Sequence, residues 1–325
     1  MLDDSRIVPS LKLSIVATLF NSAPYVEAFC RRASATARAF ASSYEIILVN
    51  DGSPDGSLEI AVGLSRIDSH VRVIDLSRNF GHHKAMMTGI AHAAGELVFL
   101  IDSDLEEDPE WLGLFHDTLE RERADVAYGV QRRRKGSVVE RLAGAAYYRT
   151  FNAMLDHPLP RNVITARLMT ARYVSQLIRH RDRAICLAGL WVITGFTQIP
   201  VTVDKKTRRT SSYGFPARVA VMVNAITSFS SRPLVYIFYL GCAIMASAAM
   251  AAVWLVWRVV FHRVGVAGYP SLIISVWFLG GVTIFCLGVI GIYLSKIFIE
   301  TKDRPYSIVR AYYPEPAGIA DRVHD

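Results

Sequence analysis

The chain has 325 residues, of which 52% are hydrophobic, and carries a formal net charge of +7. Its length exceeds one typical domain, and the hydrophobic share with a positive mean hydropathy is high for a purely soluble protein. Of the four cysteines, Cys242 and Cys286 lie in long apolar runs while Cys30 and Cys186 are isolated, so all four read as ordinary small apolar residues rather than metal ligands.

The first thirteen residues mix Asp3, Asp4, Arg6 and Lys12 with no apolar core long enough for a secretory signal, which predicts that the region before any span stays in the cytoplasm. From Leu11 to about Gly129 short β-rich runs alternate with helical stretches: LKLSIVATL, YEIILVN, VRVIDL, ELVFLID and ADVAYG are the strands. That alternation predicts an α/β domain, a mostly parallel sheet covered by crossover helices. Ser22 with Pro24, and Asp108 with Pro109, read as the N-cap and first turn of the helices after strands one and four. Beyond the basic run QRRRKGS the pattern becomes less regular as far as Asp204. From Phe215 the apolar residues Val219, Met222, Val223, Ile226 and Phe229 recur at helical spacing, which predicts an interfacial helix over 215–231.

Two uncharged stretches follow, Leu234–Trp257 and Val264–Ser295, each longer than the roughly 20 apolar residues that cross a bilayer. They predict two membrane helices within 232–298, at about 234–257 and 270–295. Lys205, Lys206, Arg208, Arg209, Arg218 and Arg232 precede the pair and Lys296, Lys302, Arg304 and Arg310 follow it, whereas the connection offers only Arg258 and Arg263. The basic bias puts both termini, the catalytic region 1–214 and the tail 299–325 on the cytoplasmic face of the inner membrane in a multi-pass protein. Clustering of basic residues near the spans favours anionic lipid over nucleic acid as the partner of the net charge.

Polar residues collect at one end of each strand, where open parallel sheets bind their ligands: Asn21, Asn50 with Asp51, Arg78 with Asn79, and Asp102 with Asp104. Asp102-Ser103-Asp104 ends a buried strand, and two carboxylates so placed suit Mg2+ or Mn2+ held against a diphosphate. In Asn50-Asp51-Gly52-Ser53 the aspartate can accept hydrogen bonds from a base or ribose, and Gly52 permits a turn most residues resist; a plain Asx turn is the bland alternative. Gly81 opens a helix beside Arg78 and Lys84, an arrangement that suits phosphate. His82 and His83 lack a third ligand at zinc spacing.

SIVATLFNSAPY, ILVNDGSPDGS, LSRNFGHHKAMMTGI and IDSDLEEDPEWL, in this order, resemble the catalytic domain of family 2 glycosyltransferases. RRRKGS, ARLMTARYV, SSY, SFSSRPL and GVIGIYLSKIFIETKDRPYSIV narrow the resemblance to the polyprenyl phosphate glycosyltransferases, a group that includes dolichol phosphate mannose synthase. The resemblance implies a Rossmann-like GT-A fold and a metal-dependent hexosyltransferase. It would move a sugar, with inversion, from a UDP- or GDP-linked donor to polyprenyl phosphate. It implies Leu19, Phe20, Asn21 and Asp51 at the base and ribose, Asp102 and Asp104 at the diphosphate and metal, and Arg132 and Arg134 at the phosphates. Lys206, Arg208 and Arg209, with Ser211 and Tyr213, fall in the segment that in the family meets the acceptor phosphate. Small residues in GGVTIFCLGVIG would allow close helix packing, including in a homo-oligomer.

The chain departs from the family at Ser22 and Ala23, which replace two glutamates, and at Thr165 and Ala166, which replace an Asp-Phe pair. Gln131 replaces an arginine, Ser212 a lysine, and GIY at Gly291–Tyr293 the usual GEY. The lost aspartate points to an altered sugar or acceptor geometry. It is also the best support for the competing reading, a catalytically silent membrane scaffold; a transferase for another lipid acceptor is the third.

Overall fold

The computed structural model describes residues 8–131, 160, 162–180, 182–183, 185–205, 223, 226–227, 230–262 and 268–315. The chain divides into two units, one built on a sheet and including the segment from Arg304 onward, the other containing two long helices.

The sheet unit begins β1 (Val8–Leu19), α1 (Val26–Arg38), β2 (Ala41–Asn50), α2 (Ser57–Ile67), β3 (Val71–Leu76), α3 (His82–Ala91), β4 (Leu97–Leu100), α4 (Trp111–Glu122) and β5 (Val126–Gln131). Continuous apolar runs fit strands covered on both faces, and Leu13–Leu19 of β1, including Ser14 and Thr18, is buried throughout. β1 therefore lies at the centre, parallel to β2 on one side and β4 on the other, with β3 parallel beyond β2. The five strands expected from the sequence are present. The helices after β1 and β4 start later than the Ser-Pro and Asp-Pro signals suggest, at Val26 and Trp111, because the chain first makes a turn: Ser22 O accepts from Tyr25 N and Asp108 O from Trp111 N.

The irregular segment adds β6 (Val163–Thr170), α5 (Ala171–Leu177), α6 (Leu187–Ile193) and β7 (Gln198–Val203). β6 inserts antiparallel between β4 and β5, and β7 lies parallel to β5. The sheet closes with β8 (Val309–Tyr313), antiparallel to β3, in the order β7-β5-β6-β4-β1-β2-β3-β8. The tail after the second apolar run thus contributes an edge strand, which its composition does not announce.

In the other unit α7 (Arg232–His262) and α8 (Tyr269–Thr301) are 31 and 33 residues long, about 45–50 Å each at 1.5 Å per residue. Both are long and apolar enough to cross a membrane, and in the qualifying stretches Arg232–Ala251 and Ser275–Thr301 no residue of the apolar window is buried. Phe238, Met245, Trp254, Trp277, Phe285 and Phe298 all point outward. Tyr293 Oη donates to Ser230 O at 2.7 Å, tying α8 to the residues before α7. A Cβ on Gly280, Gly281, Gly288 or Gly291 would meet no atom within 4 Å, so these four glycines pack closely on nothing among the described residues.

Candidate active site

The carboxyl ends of β1 and β4 open into a cavity of about 220 Å3 lined by Thr18, Phe20, Asn21, Ser22, Tyr25, His82, Asp102, Ser103, Asp104 and Glu106. Ser103 is the anchor of the acidic motif: its buried hydroxyl donates to Thr18 O at 2.7 Å. Fixing the middle residue inward leaves the flanking carboxylates, Asp102 and Asp104, at the cavity. Leu105 then turns the chain with φ +58°, a left-handed conformation uncommon for leucine, and Asp104 Oδ1 accepts from Glu106 N at 2.9 Å.

Behind the motif, the fully buried Glu107 joins three segments. Its Oε2 accepts from Asp102 N at 3.4 Å, and its Oε1 accepts from Thr165 N and from Lys205 Nζ, each at 3.2 Å. Lys205 Nζ also lies 3.7 Å from Asp102 Oδ2 and from Glu106 Oε2. On the other side His82 Nε2 is 3.3 Å from Asp102 Oδ1, and its Nδ1 shares a 3.0 Å hydrogen bond with Thr18 Oγ1. Asp102 Oδ1 is buried and has no hydrogen-bond partner among the described residues.

This arrangement separates the carboxylates electrically. Burial works against the ionised form of Asp102, but His82 and Lys205 outweigh it and hold this carboxyl below its usual range. Asp104 is pushed upward by burial and by the Asp102 charge. Glu107 is raised to about 7, chiefly by burial and then by Asp102. Lys205 is raised despite burial, because Glu107 and Asp102 favour its charge.

Asp51 is also buried, and its two oxygens accept from Phe80 N at 2.7 Å and Gly81 N at 3.0 Å. The carboxylate thus fixes the loop from β3 to α3, whose turn Gly81 makes at φ +100°. Gly52, at φ +60°, packs so closely on that loop that a Cβ would lie 2.5 Å from Asn79 N. Asp55 links the same turn to the chain after β1, its Oδ2 accepting from Ala23 N at 3.0 Å; burial works against its charge, but the hydrogen bonds from Ser53, Ser57 and Ala23 N together outweigh it and bring it to about 2.

The structure therefore brings Phe20, Asn21, Asp102 and Asp104 to one cavity. Asp51, Arg78, Asn79, Gly81 and Lys84 are outside its lining, and the first four of these form the neighbouring turn and loop. Leu19 belongs to the core, with only its carbonyl turned to Asp51 N at 3.0 Å. Arg132, Arg134, Lys206, Arg208, Arg209, Ser211 and Tyr213 lie outside the described residues, as does most of 215–231. Sequence reasoning missed His82, Glu107 and Lys205. In the sequence His82 suggests only a zinc ligand without partners and Lys205 only a membrane-flanking charge; the acid run after the motif is the signal that points to Glu107.

The glycosyl transferase family 2 description matches residues 14–179. A Mycobacterium tuberculosis protein named among the glycosyltransferases is 52% identical over 303 residues, covering 93% of this chain and 89% of that one. An uncharacterized glycosyltransferase of Synechocystis, sll0501, is 32% identical, with 92% and 95% covered. The prophage bactoprenol glucosyl transferase homolog of Escherichia coli K12 is 28% identical, with 92% and 99% covered. End-to-end relatives and the family match agree with a paired-carboxylate motif at the strand ends, and the chain belongs to glycosyl transferase family 2.

Proposed function

We propose that this protein transfers a sugar from a nucleotide diphosphate carrier to a polyprenyl phosphate at the membrane, inverting the anomeric centre. The observation that carries this reading is the likeness to the bactoprenol glucosyl transferase homolog, which runs through the catalytic sheet and both apolar helices rather than stopping at the shared domain. In the reaction an oxygen of the acceptor phosphate bonds to C1 of the sugar from the face opposite the leaving group. The bond from C1 to the donor's β-phosphate oxygen breaks, and its electron pair leaves with the nucleoside diphosphate. The nucleophile is already anionic near neutral pH, so no side chain has to remove a proton, and catalysis rests on positioning and charge stabilisation.

The residues at the cavity fit a divalent cation. Asp102, whose buried Oδ1 takes no hydrogen bond and faces the His82 ring at 3.3 Å, and the adjacent Asp104 match the one or two protein carboxylates that Mg2+ or Mn2+ takes alongside phosphate oxygens. Among the described residues no third side chain completes a protein-only site, as expected where a diphosphate supplies the remaining oxygens. When bound, the cation neutralises charge on the departing diphosphate. His82 and Lys205 keep Asp102 ionised and oriented, and Glu107 holds its backbone. Phe20, half-exposed at the rim, and Asn21 are assigned to the base and ribose. Arg132, Arg134, Lys206, Arg208, Arg209, Ser211 and Tyr213 are assigned to the acceptor phosphate by resemblance.

Outward-facing aromatic and aliphatic side chains along α7 and α8 support a bilayer as their solvent. The return of β8 to the sheet that the chain leaves before α7 supports an even number of crossings. Basic flanks then favour the cytoplasmic side for the sheet. The test is incubation of purified full-length protein with undecaprenyl phosphate, Mn2+ or Mg2+, and a panel of labelled UDP- and GDP-sugars. Label should pass into the organic phase with one donor. Folded protein that labels lipid with none would reject the reading.

A further inference from the structure

The stretch DRPYSIVR after the second span belongs to a motif that the catalytic account leaves unused. It reaches three pieces of the nucleotide side of the crevice. Ile308 O accepts from Ser77 N at 2.9 Å at the head of the β3–α3 loop, and Ser307 Oγ shares a 2.7 Å hydrogen bond with Thr88 Oγ1 on α3. The third link is Arg310. In the β3–β8 pairing Asp75 faces Ala311 and Leu76 faces Val309, so Arg310 is the extra residue of a bulge, a device that re-aims one side chain. Its Nε donates to Asp75 Oδ2 at 2.7 Å. Asp75 is 1% exposed, and its Oδ1 accepts from Asn50 Nδ2 at 2.8 Å. Asn50 Oδ1 in turn accepts from Ser53 N at 3.3 Å, closing the Asn-Asp-Gly-Ser turn.

We propose that Ser307–Tyr313 is a clamp that sets the nucleotide-binding turn, with Arg310 as a positioning residue acting through Asp75 and Asn50. The proposal rests on reading that turn as part of the nucleotide site. Arg310 neutralises a carboxylate that is out of water, which frees Asn50 to present its amide oxygen to the turn. Without the guanidinium, Asp75 must draw its second donor from elsewhere, and Asn50 and the Ser53 amide lose their fixed relation. Nucleotide affinity then depends on a segment that follows the second apolar helix in the chain.

The experiment measures binding of UDP, GDP and undecaprenyl phosphate to the full-length protein in detergent, for wild type, Arg310→Ala, Arg310→Gln and Arg310→Lys, with melting temperatures alongside. Arg310→Ala should weaken the preferred nucleotide about tenfold, the weight of one charge-assisted hydrogen bond, and leave the lipid within about twofold. Arg310→Lys, which keeps the charge, should recover most of the affinity, while Arg310→Gln should not. Folded Arg310→Ala or Arg310→Gln that binds nucleotide like wild type overturns the clamp. Equal weakening of nucleotide and lipid also overturns it, since a general loss of structure would then explain the effect. If Arg310→Ala does not fold, Arg310→Gln and Arg310→Lys decide on the same criteria. Wild type that binds neither nucleotide overturns the reading of the crevice itself, and the clamp with it, before any variant is compared.

Discussion

Replacing Glu107 by Gln isolates the electrostatic cost of the buried carboxylate behind the acidic motif. Burial and the neighbouring Asp102 charge raise Glu107 from 4.5 to about 7. At 1.36 kcal/mol per pH unit, ionised Glu107 costs the folded state about 3 kcal/mol. Because the folded value lies above the unfolded one, the folded protein holds more protons between pH 4.5 and 7, and stability falls as pH rises through that window. Glutamine keeps the size and one acceptor oxygen but carries no titrating group. The melting temperature of Glu107→Gln should therefore gain on that of wild type between pH 5 and pH 8. The gain should be about 5 °C, taking about 2 °C per kcal/mol for a chain of this size. Thermal unfolding in detergent at half-unit pH intervals gives the difference curve, in which groups that do not interact with Glu107 cancel, leaving the response of Glu107 together with its partners Asp102 and Lys205. Two parallel curves would refute the reasoning. A gain in stability together with lost activity would identify Glu107 as a group kept for its grip on Asp102 and Lys205, at the expense of stability.

Two further substitutions test the rest of the crevice. Gly52→Ala forces a side chain into a φ of +60° and against the backbone of Arg78 and Asn79. It should cost about 1–3 kcal/mol in stability, measured by melting temperature, and weaken UDP or GDP binding in calorimetry. Lys205→Met removes the cation among Asp102, Glu106 and Glu107. It should tighten Mn2+ binding while weakening nucleoside diphosphate binding, because the acidic cluster loses its fixed counter-charge; calorimetry of each ligand should give opposite signs.

The sequence made the first five strands and the crevice at their carboxyl ends legible, since buried strands read as apolar runs and polar residues punctuate their ends. It did not reveal β6, β7 or β8. VITARLMT has Thr165 and Arg167 in the middle of a strand; the guanidinium of Arg167 is nonetheless buried, over the ring of Trp191. Short strands whose partners lie far away in the sequence leave no local periodicity to distinguish them, whether they pair antiparallel like β6 and β8 or parallel like β7. Asp102 and Asp104 were readable because their spacing at a strand end is itself the signal. Lys205 was not, because it comes from β7's end, about a hundred residues away, and flanking basic residues gave its charge another explanation. Asp51 shows a subtler limit: its strand-end position was correctly read, but both oxygens hold the loop at Phe80 and Gly81, a partner no spacing rule supplies.

The central claim is that a lipid phosphate attacks the sugar. The direct measurement is 31P NMR of undecaprenyl phosphate incubated with the active donor and wild-type protein, beside Asp104→Ala. With wild type the phosphomonoester signal should give way to a phosphodiester, one for each nucleoside diphosphate released, and in the variant both changes should be lost. Release of nucleoside diphosphate with the monoester unchanged, or an undiminished rate in Asp104→Ala, would contradict the account.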